Sequence, residues 1–468
     1  MVFSSHIFLF YFLPLALLVY YLSPRVVKSL TLTLVSYVFY GWWNPWFVLL
    51  MLGSTAVDYL CGIAITREGA SPKQRKIGVT TSVVVNLAVL AFFKYATFFA
   101  TNLDSVGLGI EMPDFLYRIV LPVGISFYTF QSMSYSIDLY RGHAKPARSF
   151  IDFACYVSMF PQLVAGPIVR YGTVADQLSN RIHTLDGFVA GFTRFNYGFA
   201  KKVLIANNVG TIADACFSAG PMSLSPGMAW IGVLAYAFQI YFDFSAYSDM
   251  AIGLGKMFGF NFPENFNSPY RSKSITEFWR RWHISLSSFL RDYLYIPLGG
   301  NRKGVSRTYL NLFLVMLIGG LWHGAQWTFV IWGVIHGSML MIERYLSGNA
   351  RLKNIPRPVG VALTFVILLI TWVFFRAENL STAGQYLSAM FGLSDWGPSA
   401  AILEGAVLNP FNYLALICAA LLTWLVPRTA EFLERISPGK CILGLLLLAF
   451  SVRQLFYQGF NPFLYFQF

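Results

Sequence analysis

Thirteen predominantly apolar stretches separated by short loops constrain this chain more than any other feature. They lie near residues 6–22, 29–43, 46–64, 78–99, 115–135, 150–168, 187–206, 228–258, 308–322, 326–343, 359–376, 411–427 and 441–460. A hydrocarbon layer about 30 Å thick takes about 20 residues of helix to cross, and inside it the backbone finds partners only within a helix or a closed barrel. Some runs are short or interrupted by glycine. The pattern therefore predicts an all-α polytopic membrane protein with about 11 to 13 membrane-embedded helices. Composition agrees, because 12% of the residues are charged and 56% are hydrophobic, against about 25% charged in a soluble domain. No internal repeat stands out. Residues 1–468 read as one integral membrane domain whose motif-rich core is at about 115–345.

The net charge of +13 is compatible with nucleic-acid binding, but its distribution points elsewhere. Arg25 and Lys28 follow the first run, Arg67, Lys73, Arg75 and Lys76 the third, and Arg141, Lys145 and Arg148 the fifth. The segments 266–307, 344–357 and 428–440 are basic as well. The intervening loops are neutral or carry Asp104, Glu111 and Asp114, and later Glu378, Asp395 and Glu404. Basic loops stay in the cytoplasm. The alternation places both termini outside and implies lipid rather than nucleic acid as the neighbour. No Lys or Arg precedes the first run and no small-x-small cleavage site follows it cleanly, so it reads as an uncleaved span rather than a secretory signal. Cys61, Cys155, Cys216, Cys418 and Cys441 form no CxxC pair and read as small buried hydrophobes.

Two stretches concentrate groups capable of chemistry. In KSITEFWRRWHISLSSFLRDYLYIPLGG, residues 273–300, Ser274 and Glu277 form a capping box that starts a helix. At 100° per residue that helix aligns Arg280, His283, Ser287 and Arg291 on one face. Phe278, Trp282, Leu286, Phe289 and Tyr293 fall on the other. Such a helix is either an interfacial element with its arginines on lipid phosphate, or the wall of a cytoplasmic cavity for an anionic substrate. In MLIGGLWHGAQWTFVIWGVIHG, residues 316–337, His323 lies between two apolar runs beside Gly319, Gly320 and Gly324. An ionisable side chain deep in a membrane hairpin is a functional candidate by default. His336, within the second run, better suits a helix-to-helix hydrogen bond. The two histidines lack i, i+4 spacing and a nearby acid or Cys, so no metal is expected. Gln131, Asp138, Gln162, Gln239, Asp243, Ser245 and Asp249 are too polar to face lipid. They read as helix glue or tunnel lining, with Asp243 and Asp249 available to pair with buried arginines or histidines.

Six segments together resemble the membrane-bound O-acyltransferase superfamily. They are MVFSSHIFLFYFLP, FQSMSYSIDLYRG, PQLVAGPIVRY, FQIYFDFSAYSDMAIGLG, FWRRWHISLSSFLRDYLYIPLGGNR and GGLWHGAQWTFVIWGVIHG, spread over residues 1–337. The resemblance is closest to the bacterial branch that acetylates alginate, cellulose or peptidoglycan. It implies a ring of tilted helices around a central funnel, with His323 as the catalytic histidine and His283 as the second family histidine. It also implies an acyl thioester drawn from the cytoplasm and passed through the membrane. The terminal PFLYFQF is similar to the aromatic tail of a small partner protein in D-alanyl transfer, which makes Tyr465 a candidate acyl acceptor; the alternative is an interfacial belt residue.

On this reading acetyl-CoA is the donor substrate, with no bound cofactor, and its phosphates meet Lys273, Arg280, Arg281 or Arg291, with Arg302 and Lys303 nearby. His323 acts as general base, in the neutral form that burial favours, and small residues beside it present backbone N–H groups to an oxyanion. The acceptor is Tyr465 or a hydroxyl on a periplasmic acetyltransferase partner, feeding an exopolysaccharide synthesis machinery. The rivals are a D-alanyl, lipid or peptidoglycan acyltransferase of the same superfamily, and a transporter without covalent chemistry.

Overall fold

The structure, a computed structural model, describes residues 1–105, 112–346 and 355–458. Among these there are helices and turns and no strand. The chain divides into two compact units. The first comprises Met1–Phe195 and Tyr247–Pro263. Its helices are α1 (Leu13–Leu22), α2 (Lys28–Gly41), α3 (Trp46–Thr66), α4 (Pro72–Ser105), α5 (Ile125–Tyr140), α6 (Phe150–Ser158), α7 (Tyr171–Ser179) and most of α8 (Leu185–Ala200). The second comprises Asn196–Ala246 and Glu264–Phe468. It holds α9 (Asn207–Phe217), the first two-thirds of α10 (Pro226–Met257), α11 (Ile275–Arg281), α12 (Ile284–Leu290), α13 (Val305–His323), α14 (Trp327–Leu346) and α15 (Arg357–Arg376). Then follow α16 (Leu380–Met390), α17 (Ser399–Val407), α18 (Pro410–Trp424) and α19 (Pro438–Tyr457).

The protein is a multi-pass membrane protein. Helices α3, α4, α13, α15 and α19 are long and apolar enough to cross a bilayer, and α17 with α18, bent by 66°, makes up to a sixth span. Fewer described helices meet that criterion than there are apolar runs, and the reasons are local. Helix α1 is short because its run begins as a π-helical turn at Phe8–Phe12. Helix α10 is 32 residues long, but Gln239, Asp243 and Asp249 lower its hydropathy. Helix α5 buries nearly every side chain, polar ones included. Lipid-facing character shows instead in exposed Leu15, Leu18, Leu60, Ile417 and Leu446.

Each unit hides a charged pair. In the first, Arg194 Nη2 is 2.8 Å from Asp249 Oδ1. In the second, Lys202 Nζ is 2.5 Å from Asp243 Oδ1. Asp249 thus pairs with an arginine as its sequence setting suggested, whereas Asp243 takes a lysine. Unpaired, either charge would be prohibitive at such depth. Around Phe3 of the first unit, Phe8, Phe39, Phe160 and Tyr247 form an aromatic core, Tyr247 stacked at 4.4 Å.

Candidate active site

The second unit contains a cavity of about 510 Å³ walled by α11, α12, the turn after it, and the α13–α14 hairpin. The hairpin forms because its glycines sit where the two backbones meet. A Cβ on Gly320 would stand 2.4 Å from the Phe329 carbonyl oxygen, and one on Gly333 would stand 2.6 Å from that of Met316. Small residues permit this approach and van der Waals packing then holds it. Gly319 points elsewhere, with nothing nearer its Cβ position than Leu290 at 3.4 Å, and it lines the cavity. Leu312, Val315, Met316, Gly319 and His323 follow at helical spacing along the same wall. From Leu312 to His323 the helix rises roughly 16 Å.

His323 is the last residue of α13, where Gly324 caps the helix and the chain turns into α14. It is 5% exposed. The rings of Trp322, Trp332 and Phe375 surround it at 5.0, 5.2 and 5.2 Å. As the last residue of α13 it sits at the helix end that carries partial negative charge.

The amphipathic segment departs from one continuous helix. Its start is as expected: Ser274 Oγ accepts from the Glu277 N–H at 3.1 Å, and Glu277 reaches back to the Lys273 N–H at 2.9 Å. A second carboxylate joins from α14, where Glu343 accepts from the Ile275 and Thr276 N–H groups at 2.6 and 2.8 Å. The helix then ends at Arg281, and His283 takes a left-handed conformation with φ 45° before α12 begins. Arg280, Ser287 and Arg291 still line the cavity, but His283 is absent from its wall. The single face carrying Arg280, His283, Ser287 and Arg291 is therefore corrected, because the break at residue 283 rotates the histidine inward.

His283 is fully buried. Its Nδ1 accepts from the Leu286 N–H at 3.4 Å, capping α12. That assignment leaves the proton of the neutral ring on Nε2. Burial pushes the imidazole down to about 3, so it is neutral. Asn265 holds the break in place: its carbonyl accepts from the Ile284 N–H at 2.9 Å and its Oδ1 from the Ser285 N–H at 3.1 Å. Trp322 bridges the two histidines, 6.1 Å from the ring of His283 and 5.0 Å from that of His323.

The proposed cation set separates. Arg280 and Arg291 line the cavity, and Lys273 and Arg281 do not. Arg281 is tied to Glu277 at 2.7 Å and to the Asn267 carbonyl at 3.2 Å. Arg291 is joined to neighbouring Asp292 at 2.7 Å. Arg344, which sequence reasoning did not select, is a third arginine of the wall, and among the described residues no carboxylate lines it. Trp279 and Trp332 were missed too. Trp332, His336, Leu340 and Arg344 recur every four residues on α14, and that spacing was the available signal. His336 is buried and its Nδ1 accepts from Trp279 Nε1 at 3.3 Å, the interhelical role expected of it. Tyr465, like Arg351 and Lys353, lies outside the described residues.

A buried histidine thus lies at the end of a cavity that carries three arginines in a largely apolar wall, and comparison with known proteins gives the chain its family. The sequence model of the membrane-bound O-acyltransferase family, MBOAT, matches residues 84–380. The chain is 47% identical to a probable alginate O-acetylase AlgI of Pseudomonas putida over 100% of both chains. It is 52% identical to one from Pseudomonas aeruginosa, over 85% of this chain and 76% of the relative. It is 39% identical to a peptidoglycan O-acetyltransferase of Helicobacter pylori, over 84% and 80%. A family match across most of the chain, together with relatives this similar along their length, makes this protein an O-acyltransferase of the membrane-bound O-acyltransferase family, in its AlgI-like branch.

Proposed function

We propose that this enzyme takes acetyl groups from cytoplasmic acetyl-CoA and passes them across a bacterial inner membrane for O-acetylation of an exopolysaccharide. The observation that carries the reading is one cavity joining Arg280, Arg291 and Arg344 to His323, with no carboxylate in its wall among the described residues. The arginines suit the phosphates of the donor. The roughly 16 Å of helix between Leu312 and His323 suits an extended arm ending in a thioester. The relatives named as alginate O-acetylases favour alginate as the polymer, with bacterial cellulose as the alternative.

In the proposed step the acceptor hydroxyl oxygen attacks the thioester carbonyl carbon while His323 removes the hydroxyl proton. The tetrahedral intermediate then expels the thiolate. The C–S bond breaks, the new ester C–O bond stays, and the imidazolium returns its proton to sulfur. The cavity wall favours a small carrier hydroxyl over a polymer chain. That carrier is Tyr465 of this chain or a hydroxyl of a periplasmic acetyltransferase partner, which hands the acetyl group to the polysaccharide machinery.

The test is transfer from labelled acetyl-CoA by membranes containing the full chain. His323→Ala should lower transfer by roughly 10²- to 10⁴-fold at unchanged abundance. Near-normal transfer would remove the base role. A wild-type protein that moves acetyl-CoA or acetate without forming an ester would make it a transporter. Tyr465→Phe separates the two acceptors: lost activity with a missing acetyl adduct supports the relay, and normal activity leaves the partner's hydroxyl.

A further inference from the structure

The first unit gathers positive charge at a place the transfer reaction does not use. Lys28 and Arg181 meet around Tyr20, and the charge of exposed Arg25 reaches Lys28. Lys28 Nζ lies 4.3 Å from the centre of the Tyr20 ring and donates to the Tyr20 carbonyl at 2.8 Å. Arg181 donates through Nη1 to the Tyr20 hydroxyl at 3.2 Å and through Nη2 to Ser29 Oγ at 2.6 Å. Its guanidinium rests 4.8 Å over the ring of Phe260. Arg181 Nε is buried and has no hydrogen-bond partner among the described residues.

None of these three cations has an ion pair among the described residues. Asp152, whose charge reaches Arg181, accepts from Ser149 Oγ at 3.0 Å. Burial, then the fields of Arg181 and Arg25, lower the Lys28 ammonium, so the charges stand close enough to repel one another. Their position aggravates this. Helix α2 begins at Lys28, continuing a tight turn at Arg25–Val27 whose Arg25 carbonyl accepts from the Lys28 N–H. Cations belong at the C-terminal end of a helix, and here two sit against its positive N-terminus. The basic residues Lys73, Arg75 and Lys76 at the start of α4 are exposed and solvated. Lys28 and Arg181 are half-buried against aromatic rings, where water screens them less.

A bound anion resolves the arrangement. We propose that Arg25, Lys28 and Arg181, beside the start of α2, form a binding site for a phosphate group. The phosphate belongs to the headgroup of an anionic phospholipid or to a soluble phosphate. The planar guanidinium and the ammonium both suit phosphate oxygens. Tyr21, exposed beside Lys28, supplies apolar surface for the rest of a lipid.

The full chain, purified and placed in vesicles of phosphatidylcholine with or without phosphatidylglycerol, tests this by native mass spectrometry and thermal unfolding. Wild type should keep phosphatidylglycerol in preference to phosphatidylcholine. Lys28→Gln and Arg25→Gln should each weaken that preference about 5-fold, the effect of one basic residue at an anionic surface. Lys73→Gln with Lys76→Gln, which removes charge elsewhere, should leave it intact. Because Arg181→Gln removes structural hydrogen bonds, the two milder variants carry the test. Protection by millimolar inorganic phosphate, lost in Lys28→Gln and Arg25→Gln, supports the site with a soluble occupant. Equal retention of the two lipids without phosphate protection overturns the proposal. So does an equal loss in the Lys73/Lys76 control.

Discussion

Replacing Gly333 by alanine tests how closely the hairpin must be packed to place His323. The added Cβ would lie 2.6 Å from the Met316 carbonyl oxygen and 3.1 Å from the Leu317 Cα. Both are backbone atoms of α13, so no side chain can swing aside. Ordinary contact begins at 3.4 Å, so the helices must part by 3.4 − 2.6 = 0.8 Å at this point. Overpacking of this kind costs roughly 1–3 kcal/mol. Met316 lies two helical turns before His323 on the same cavity wall, so the shift carries to the base. Misplacement of a reacting group by about 1 Å costs on the order of 10²-fold in rate. Gly333→Ala should therefore insert and fold, melt earlier, and turn over 10- to 100-fold more slowly, by that estimate. Gly320→Ala, facing the Phe329 oxygen at 2.4 Å, should be worse, and Gly337→Ala, facing Phe313 Cα at 3.1 Å, milder. Gly319→Ala, with 3.4 Å of room, should keep its melting temperature. Acetyl transfer and detergent-solution melting of the four variants read both effects. A Gly333→Ala enzyme that melts like Gly319→Ala and turns over like wild type would refute the argument that backbone contact positions His323.

Arg280 lines the cavity and makes no ion pair among the described residues, so Arg280→Ala should raise the donor KM by roughly 5- to 10-fold at nearly constant kcat. A loss confined to kcat would place the donor phosphates elsewhere. His283→Ala should cost about 2 kcal/mol, from the left-handed backbone and the lost cap, whereas His283→Asn, which tolerates both, should unfold close to wild type. Equal destabilisation of the two would show that neither feature matters. A cysteine at Lys73 should be shielded from an impermeant thiol reagent in intact cells and one at Asp395 labelled; the reverse pattern would overturn the charge-based orientation.

What the sequence determines here is what local chemistry controls. Apolar runs the length of a bilayer announce a helical membrane protein because lipid leaves the backbone no other partner. The Ser274–Glu277 box starts its helix because both partners lie within one turn. His323 is conspicuous because a titratable ring between two apolar runs is costly unless it works. Tertiary structure decides whatever depends on residues far apart in the chain. The helical period continues through residue 283, and only contacts to Asn265, eighteen or more positions earlier, hold the left-handed break. That break separates His283 from Arg280, Ser287 and Arg291. Whether an arginine faces the cavity is decided the same way. Glu277 takes Arg281 out of play through a short ion pair, and folding of α14 against α11 brings Arg344 in, with Glu343 beside it capping the helix it meets. Identical side chains one residue apart, Arg280 and Arg281, thus acquire different roles. Side-chain type is local, but which partner is nearest exists only after the chain has packed.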